Sequence, residues 1–355
     1  MKKTALALGG LLAVGAGIVL ANTIKINAGG ASFPDPIYEK WFDTWHKMHP
    51  DVQIAYNGNG SGAGVKGLTE GTLDFGASDP PMSDQEIAAV PATRGKVLHF
   101  PTVLGAVVPT YNIPGVTQDL KFDGKILADM FLGKITKWND PAFAKDNPGV
   151  KLPNEEIVIV HRTDNSGTTA VFTDFLSKCN PEWKRKVGSA KGVSWPTGLG
   201  GAQNSGVAGQ VKNTPFSLGY VELLYAIQSK IPYGLVKNPA GKFLKADIAS
   251  VTEAAAKTIK DMPADFRFSI TNAPGENSYP ISTYTYMLIP TKMEPAKARE
   301  VKAFLEWMLT SGQKDAPALS YSPLPASVVE KEKKQLAMIE APGAPGQPAS
   351  GKGSK

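Results

Sequence analysis

Short apolar runs of strand length alternate with amphipathic stretches of helix length along most of the chain. The apolar runs predict strands at residues 23–27, 53–56, 72–75, 103–111 and 157–160. Turn-forming residues such as Gly, Pro, Ser and Asp follow these runs, and an amphipathic stretch often comes next. This alternation predicts an α/β fold with largely parallel sheets, and an α+β arrangement is the alternative.

Three stretches, at residues 38–48, 169–177 and 296–309, have the pattern of amphipathic helices. In the first of them, Tyr38, Trp41 and Trp45 repeat at helical spacing. An aromatic stripe of this kind packs more often in a core than against a ligand, so we expect these three side chains to be buried.

The two ends of the chain differ from the rest. Lys2 and Lys3 precede an apolar stretch that ends at Ala21, which predicts a cleaved secretory signal peptide over residues 1–21, with an uncleaved anchor as the alternative. Residues 341–355 are rich in Pro and Gly and contain no large apolar side chain, so we expect a disordered tail there.

The composition narrows the range of functions. The hydrophobic and charged fractions, 42% and 20%, are those of a globular protein and exclude wholesale disorder. The single cysteine, Cys179, excludes a disulfide framework and a CxxC zinc or redox site. The net charge of +6 comes from scattered residues, so we expect no nucleic-acid partner.

Three glycine-containing loops each place a serine where a helix is expected to begin. The loops span residues 28–34, 57–64 and 162–168, and their serines are Ser32, Ser61 and Ser166. The first N–H groups of a helix have no partner within it, and the helix dipole favours negative charge there. Ordinary N-capping explains any one serine, but three such loops together favour a site for a tetrahedral anion.

Three charged residues sharpen this interpretation. Arg162 can present a planar fork to two anion oxygens, and Asp164 can hold that fork by pairing with it. Asp79 repels an anion unless the anion carries a proton to donate, as hydrogen phosphate does at neutral pH and sulfate does not. A helix cap ahead of Pro80 is an equally good interpretation of Asp79 from the pattern alone.

Other motifs are weak. Residues 58–63 match the degenerate GxGxxG/A dinucleotide fingerprint, but a match of this kind is common by chance. His46 and His49 have no cysteine or second cluster nearby in the sequence, so a surface pair is the better interpretation than a metal site. The chain has no G-x-S-x-G elbow, and we expect neither a metal nor a catalytic residue.

Eight short motifs lie along the chain: GGASFPDPIY at 29–38, YNGNGS at 56–61, DFGASD at 74–79, FLGKITKW at 131–138, RTDNSGT at 162–168, GLGG at 198–201, LGYVE at 218–222 and YSPLP at 321–325. In this order they strongly resemble the periplasmic phosphate-binding protein family of bacterial ABC phosphate importers. The resemblance spans roughly residues 24–335. It implies a type II periplasmic-binding-protein fold, in which two α/β lobes joined by hinge strands flank a central ligand cleft.

The resemblance also implies a domain organisation. After the signal peptide at 1–21, the first lobe comprises 22–101 and 281–340, the second lobe comprises 102–280, and the tail is 341–355. The chain would leave the first lobe near 100–103 and return to it near 280–283.

The family's phosphate ligands carry over motif by motif. They fall on Ser32, Phe33, Ser61, Asp79, Arg162, Ser166, Gly167 and Thr168, with Asp164 as the partner of Arg162. Ser32 stands where the family has Thr, and Gly62 stands where a second Ser is usual. By resemblance, Asp79 accepts the phosphate proton, and neither a cofactor nor a metal is needed.

The implied function is capture of inorganic phosphate in the periplasm by hinge closure, and its delivery to the membrane permease of an ABC phosphate transporter. We expect a monomer without enzymatic activity. The alternatives are a binding protein for another oxyanion such as arsenate, sulfate or molybdate, a secreted phosphoesterase with Ser61 or Ser166 as nucleophile, and a surface adhesin.

Overall fold

A computed structural model describes residues 23–341. The strands are β1 (Ile24–Gly30), β2 (Val52–Asn57), β3 (Phe75–Ser78), β4 (Val97–Asn112), β5 (Lys121–Phe122), β6 (Val158–Arg162), β7 (Leu199–Gly201), β8 (Ser217–Glu222), β9 (Leu235–Lys237), β10 (Phe243–Leu244) and β11 (Ser282–Pro290).

The α-helices within these residues connect or follow the strands. They are α1 (Asp35–Met48), α2 (Ser61–Thr69), α3 (Asp84–Ala88), α4 (Gly124–Phe131), α5 (Pro141–Ala144), α6 (Gly167–Cys179), α7 (Pro181–Lys186), α8 (Gln203–Asn213), α9 (Leu223–Ser229), α10 (Ile248–Thr258), α11 (Pro295–Met308) and α12 (Ala326–Gln335). Short 3₁₀ helices occur at Ala92–Arg94, Ile259–Asp261, Gly312–Asp315, Pro317–Leu319 and Leu336–Met338.

One long strand joins two groups of strands into a single sheet. The order is β2-β1-β3-β11-β4-β8-β6-β7, and a smaller sheet has the order β10-β9-β5. Strand β4 pairs with β11 through residues 97–106 and with β8 through residues 107–112. Helices α1, α2 and α11 pack on the first group, and α8 packs on the second. The chain therefore forms two α/β halves that share β4.

The prediction of largely parallel pairing is correct at the flanks of the sheet and wrong at its centre. Strand β1 runs parallel to β2 and β3, and β6 runs parallel to β7 and β8. The pairs β3–β11, β11–β4 and β4–β8 are antiparallel. The reason is that β4 leaves the first half and enters the second, whereas β11 returns in the opposite direction.

All five predicted strands overlap with observed strands, but the run at 72–75 does so only at Phe75. Strand β3 begins only at Phe75, and residues 72–74 form a loop. The guanidinium of Arg94 donates hydrogen bonds to the carbonyl oxygens of Leu73 and Asp74, at 2.7 Å each. A side chain, and not a neighbouring strand, thus bonds these two carbonyl groups.

The predicted aromatic stripe lies in the core. Tyr38, Trp41 and Trp45 are at most 4% exposed. The Trp45 ring packs edge-on against Phe304 of α11, with the ring centroids 5.7 Å apart. The side of α1 that carries the stripe is thus buried in the core and is not available to a ligand.

The predicted signal peptide at 1–21 lies outside the described residues, and so does the predicted tail except for its first residue. That residue, Ala341, is 1% exposed and packs against the core, so it does not belong to a disordered segment. Within residues 23–341, no helix has both the length and the apolar character to cross a bilayer.

Candidate anion-binding site

The strand ends of both halves lead into one cleft. Gly30 ends β1 two residues before Ser32, Ser78 ends β3 directly before Asp79, and Arg162 is the last residue of β6. Within each parallel flank the carboxyl ends lie at one edge, which is where open α/β sheets bind ligands. Three antiparallel pairs separate the flanks, so the flanks run in opposite directions and their carboxyl ends face each other across the cleft. Residues far apart in the sequence therefore meet in the cleft.

Three helices begin near these strand ends. Helix α1 begins at Asp35, α2 begins at Ser61 and α6 begins at Gly167. Each therefore directs the positive end of its dipole towards the cleft. The predicted serine loops thus lie at helix N-termini, as the sequence indicates.

Arg162 is the buried cation of the cleft, with 3% of its surface exposed. Its Nε donates to Asp164 Oδ1 at 2.8 Å, and its Nη2 donates to Asp164 Oδ2. Burial opposes ionisation of Asp164, but its bonds with Arg162 and with the Gln203 N–H hold its pKa below the usual range. The pairing fixes the plane of the guanidinium, as the sequence interpretation of these two residues requires.

The remaining guanidinium hydrogens reach the two halves of the cleft. Arg162 Nη2 lies 3.3 Å from Ser32 Oγ, and Arg162 Nη1 lies 3.3 Å from Thr168 Oγ1. Ser32 follows β1 in the first half, whereas Thr168 is in the first turn of α6 in the second half. Arg162 therefore joins hydroxyl groups from both sides.

Asp79 is the buried carboxylate of the cleft, with 1% of its surface exposed. Its Oδ1 accepts a hydrogen bond from Thr285 Oγ1 at 2.9 Å, and its Oδ2 has no hydrogen-bond partner among the described residues. Burial raises the pKa of Asp79 to about 7, although the Thr285 hydroxyl and the Arg162 charge act in the opposite direction. A buried oxygen without a partner is costly unless something bonds to it, so this atom indicates where a hydrogen-bond donor binds.

The free carboxyl oxygen faces the N-terminus of α6. A Cβ atom added to Gly167 would lie 2.3 Å from Asp79 Oδ2 and 2.2 Å from Ser61 Oγ. The backbone of Gly167 thus lies against the side chains of Ser61 and Asp79 from the first half, which a larger residue would have to displace. The Ser61 hydroxyl also accepts the Asp79 N–H at 3.1 Å, while the Ser166 hydroxyl caps α6 by accepting the Thr169 N–H at 3.1 Å.

Phe33 contributes to the site differently from the other predicted residues. Its ring is completely buried and lies against Tyr321, with the centroids 6.2 Å apart. Its carbonyl oxygen accepts the Tyr321 hydroxyl at 2.7 Å. Only the backbone N–H of Phe33 is left to face an anion.

Two residues of the site were not predicted from the sequence. Asn204, at the start of α8, donates from Nδ2 to Ser32 Oγ at 3.1 Å and to Thr168 Oγ1 at 3.2 Å. Thr285, on β11, donates to Asp79. Asn204 lies three residues after the GLGG motif, which was the available signal for it, whereas nothing in the local sequence distinguishes Thr285 from other strand residues.

The two halves are in direct contact around the site. The Gly62 N–H donates to the Asn165 carbonyl oxygen at 2.8 Å. Beside the site, Lys191 pairs with Glu86 at 2.5 Å, and Arg267 pairs with Asp84 at 2.6 Å. These contacts border a cavity of about 930 Å³ that extends from Asp79 and Gly62 towards the surface. The structure is therefore a closed arrangement of the cleft.

No cluster of three or more His, Cys, Asp or Glu suited to a metal ion occurs in the described part of the chain. The two histidines considered above make other contacts. His46 Nδ1 lies 2.7 Å from the Val52 carbonyl oxygen, and the His49 ring stacks on Trp45. The donors of the cleft are hydroxyls, backbone N–H groups and one guanidinium, which is a set for an oxyanion.

This architecture defines the class of the protein. Two α/β lobes, joined by hinge strands that include β4 and β11, enclose a buried polar cleft, which is the type II periplasmic-binding-protein fold. A family model described as a PBP superfamily domain matches residues 19–311.

The chain belongs to the phosphate-binding protein family within that class. It is 41% identical over 312 residues to the phosphate-binding protein PstS of Pasteurella multocida, which covers 87% of this chain and 89% of that protein.

Solved structures share the fold. A high-affinity periplasmic phosphate-binding protein bound with phosphate matches with a TM-score of 0.67 and 20% identity, over 88% of this chain and 93% of that one. An ABC-type phosphate transport receptor from Vibrio cholerae matches with a TM-score of 0.55 and 18% identity, over 84% of this chain and all of that one.

Proposed function

We propose that this protein binds one inorganic phosphate ion between its lobes and delivers it to the permease of an ABC phosphate transporter. The ligand set would be that implied by the resemblance: Ser32, Phe33, Ser61, Asp79, Arg162, Ser166, Gly167 and Thr168. The observation that carries the proposal is the buried Asp79 Oδ2, which has no partner in the described chain and faces the N-terminus of α6. The names of the relatives support phosphate as the ion.

Binding would close the cleft. The ligand groups come from both halves, so phosphate gains its full set of hydrogen bonds only in the closed arrangement and shifts the population towards it. We assign the first lobe to residues 22–101 and 281–340 and the second to 102–280, with β4 and β11 as hinge strands. No catalytic step or cofactor is required, and we propose a monomer.

The periplasm is the proposed location. The charged and apolar residues at 1–21 have the pattern of a secretory signal, and one structural relative is itself described as periplasmic. The permease would then bind the closed form of the protein, in which both lobes enclose phosphate.

Asp79 would select protonated anions. Above pH 7 its carboxylate is ionised and accepts the proton of HPO₄²⁻, whereas SO₄²⁻ brings no proton. Sulfate therefore binds only when Asp79 takes up a proton from solution, and this costs a factor of about ten in affinity for each pH unit above the pKa. Arsenate has the same proton as phosphate, so we expect it to compete.

Calorimetric titration of the stripped protein with phosphate and with sulfate, from pH 7 to pH 9, tests the proposal. We expect 1:1 phosphate binding that is nearly constant above pH 7.5, and sulfate binding that weakens with pH. The Asp79→Asn variant would bind phosphate at least about 10-fold more weakly and would lose the pH dependence for sulfate.

Asp74→Asn is the matched control. Asp74 begins the same DFGASD segment but pairs with Lys297 at 2.9 Å outside the cleft, so its replacement should leave both anions unaffected. Equal, pH-independent binding of phosphate and sulfate by the wild type would contradict the role of Asp79, and no binding of either ion would contradict the proposed function.

A further inference from the structure

Asn204 bonds two hydroxyl groups that lie on opposite sides of the cleft. Its Nδ2 donates to Ser32 Oγ at 3.1 Å and to Thr168 Oγ1 at 3.2 Å. Asn204 is completely buried at the start of α8. A side-chain amide nitrogen carries two hydrogens, so these two bonds use both of them.

The orientation of the Asn204 amide is fixed by its other end. Its Oδ1 accepts the Glu222 N–H at 2.9 Å. A backbone N–H can only donate, so the oxygen must face Glu222 and the nitrogen must face the hydroxyls. The two hydroxyl contacts of Asn204 therefore have a single direction, from the amide to the hydroxyl oxygens.

This direction determines where the hydroxyl hydrogens point. A hydroxyl oxygen has two lone pairs and one hydrogen. On Ser32, Asn204 occupies one lone pair and Arg162 Nη2 lies 3.3 Å from the oxygen, and Thr168 has the same two neighbours at 3.2 and 3.3 Å. Neither hydroxyl can donate back to an amide or guanidinium nitrogen, so both hydrogens remain for another acceptor.

We propose that Asn204 is a positioning residue that turns the hydroxyl hydrogens of Ser32 and Thr168 towards the bound anion. The inference rests on the proposed function, because it concerns the same phosphate site. Without Asn204 each hydroxyl group could rotate, and its hydrogen could then point away from the anion. Because Ser32 and Thr168 belong to opposite halves, Asn204 orients both donors only when the cleft is closed.

Two substitutions test this role by equilibrium dialysis with labelled phosphate. Asn204→Ala should weaken phosphate binding about 10- to 100-fold, the range for lost hydrogen bonds to charged groups. Asn204→Asp keeps the size of the side chain and the acceptor for Glu222, but it places a carboxylate oxygen against the hydroxyls. That oxygen accepts their hydrogens and repels the anion, so the loss should exceed that of Asn204→Ala.

A double-mutant cycle separates positioning from structural support. In a Ser32→Ala/Thr168→Val background there are no hydroxyls to orient, so adding Asn204→Ala should change the affinity less than about twofold. Asn112→Ala is the matched control. Asn112 also donates from its amide to α8, at the Val211 and Lys212 carbonyl oxygens, but it lies at the far end of the helix, so its loss should leave phosphate affinity within twofold.

The outcomes distinguish the inference from the proposed function. Wild-type protein that binds no phosphate contradicts the proposed function. Wild-type protein that binds phosphate, with Asn204→Ala and Asn204→Asp both within twofold of it, overturns the inference alone. An Asn204→Ala effect of equal size in both backgrounds also overturns it, because the residue would then act independently of the two hydroxyls.

Discussion

At the scale of the residue, Asp79 combines a negative charge with nearly complete burial. Its Oδ1 has a donor in Thr285, and its Oδ2 has none in the described chain. Burial in a medium of low dielectric disfavours the charged form, which is why its pKa rises to about 7. The protonation of this one carboxyl group should therefore affect both the preference for phosphate over sulfate and the free energy of unfolding at different pH values.

The stability of the ligand-free protein in the closed arrangement should record this shift. The pKa of Asp79 is raised from 3.8 to about 7 in the folded protein, so the folded state holds a proton that the unfolded state releases. The contribution to stability is fully present below about pH 4 and is lost as the pH rises to about 7, by up to about 4 kcal/mol.

Urea unfolding of the stripped wild type and of Asp79→Asn, from pH 4 to pH 8, measures this contribution. The difference in unfolding free energy between the two should change in favour of the variant as the pH rises, because the amide that replaces the carboxyl group does not titrate. A difference that is independent of pH would mean that Asp79 has an ordinary pKa.

At the scale of the element, helix α6 has two tasks at its N-terminus. Ser166 caps the helix by accepting the Thr169 N–H, and its own hydrogen remains available to an anion. Ser166 N–H is itself held by the Lys191 carbonyl oxygen at 2.8 Å. The cap uses the hydroxyl oxygen, and the proposed ligand contact would use the hydroxyl hydrogen.

Ser166→Ala should accordingly have two separable effects. Loss of the cap should lower the unfolding free energy of the stripped protein by about 1 kcal/mol, and loss of the donor should weaken phosphate binding about 10-fold. Asp247→Ala is the control, since Asp247 caps α10 by accepting the Ser250 N–H at 2.7 Å. It should lower stability similarly without changing affinity, and a Ser166→Ala variant with normal affinity would show that this hydroxyl serves only as a cap.

At the scale of the whole molecule, the site exists only where the halves touch. The backbone at Gly167 lies against Ser61 and Asp79, and the Gly62 N–H bonds to Asn165 across the cleft. The pairs Lys191–Glu86 and Arg267–Asp84 join the same halves. The halves thus approach closely at Gly62 and Gly167, and the two ion pairs lie at the rim.

Gly167→Ala should block closure without harming either half. The added methyl would lie 2.2 Å from Ser61 Oγ and 2.3 Å from Asp79 Oδ2, a clash that opening of the cleft relieves. Phosphate affinity should fall more than about 100-fold, while the stripped variant keeps its melting temperature because Ala favours a helix.

Gly209→Ala in α8 is the matched control, since its added methyl would have no atom within 4 Å. It should bind phosphate as the wild type does. Small-angle scattering with phosphate present should show Gly167→Ala in a more open form than the wild type. A compact Gly167→Ala variant with normal affinity would mean that closure does not require this contact.

Much of the fold class and of the site could be predicted because the relevant signals are local. Ser61 and Ser166 stand beside glycines at helix starts, and Arg162 and Asp164 are two residues apart, so the sequence brings their chemistry together before folding. The resemblance extended this to Asp79 and to the two-lobe architecture. The ligand roles of these residues remain predictions for the titrations above.

The contacts that complete the site come from distant parts of the chain. Thr285 is 206 residues from Asp79, and Asn204 is 172 residues from Ser32. The antiparallel centre of the sheet and the position of β3 were also not evident from periodicity, since both depend on which strand or side chain arrives from elsewhere. The sequence by itself indicated the helix starts to within three residues, the serines beside them and the buried stripe of α1, because short-range spacing decides these. Only the tertiary structure decided which groups share the cleft, how Asp79 is buried and where the hydroxyl hydrogens point, because pairing between distant segments depends on packing of the whole chain.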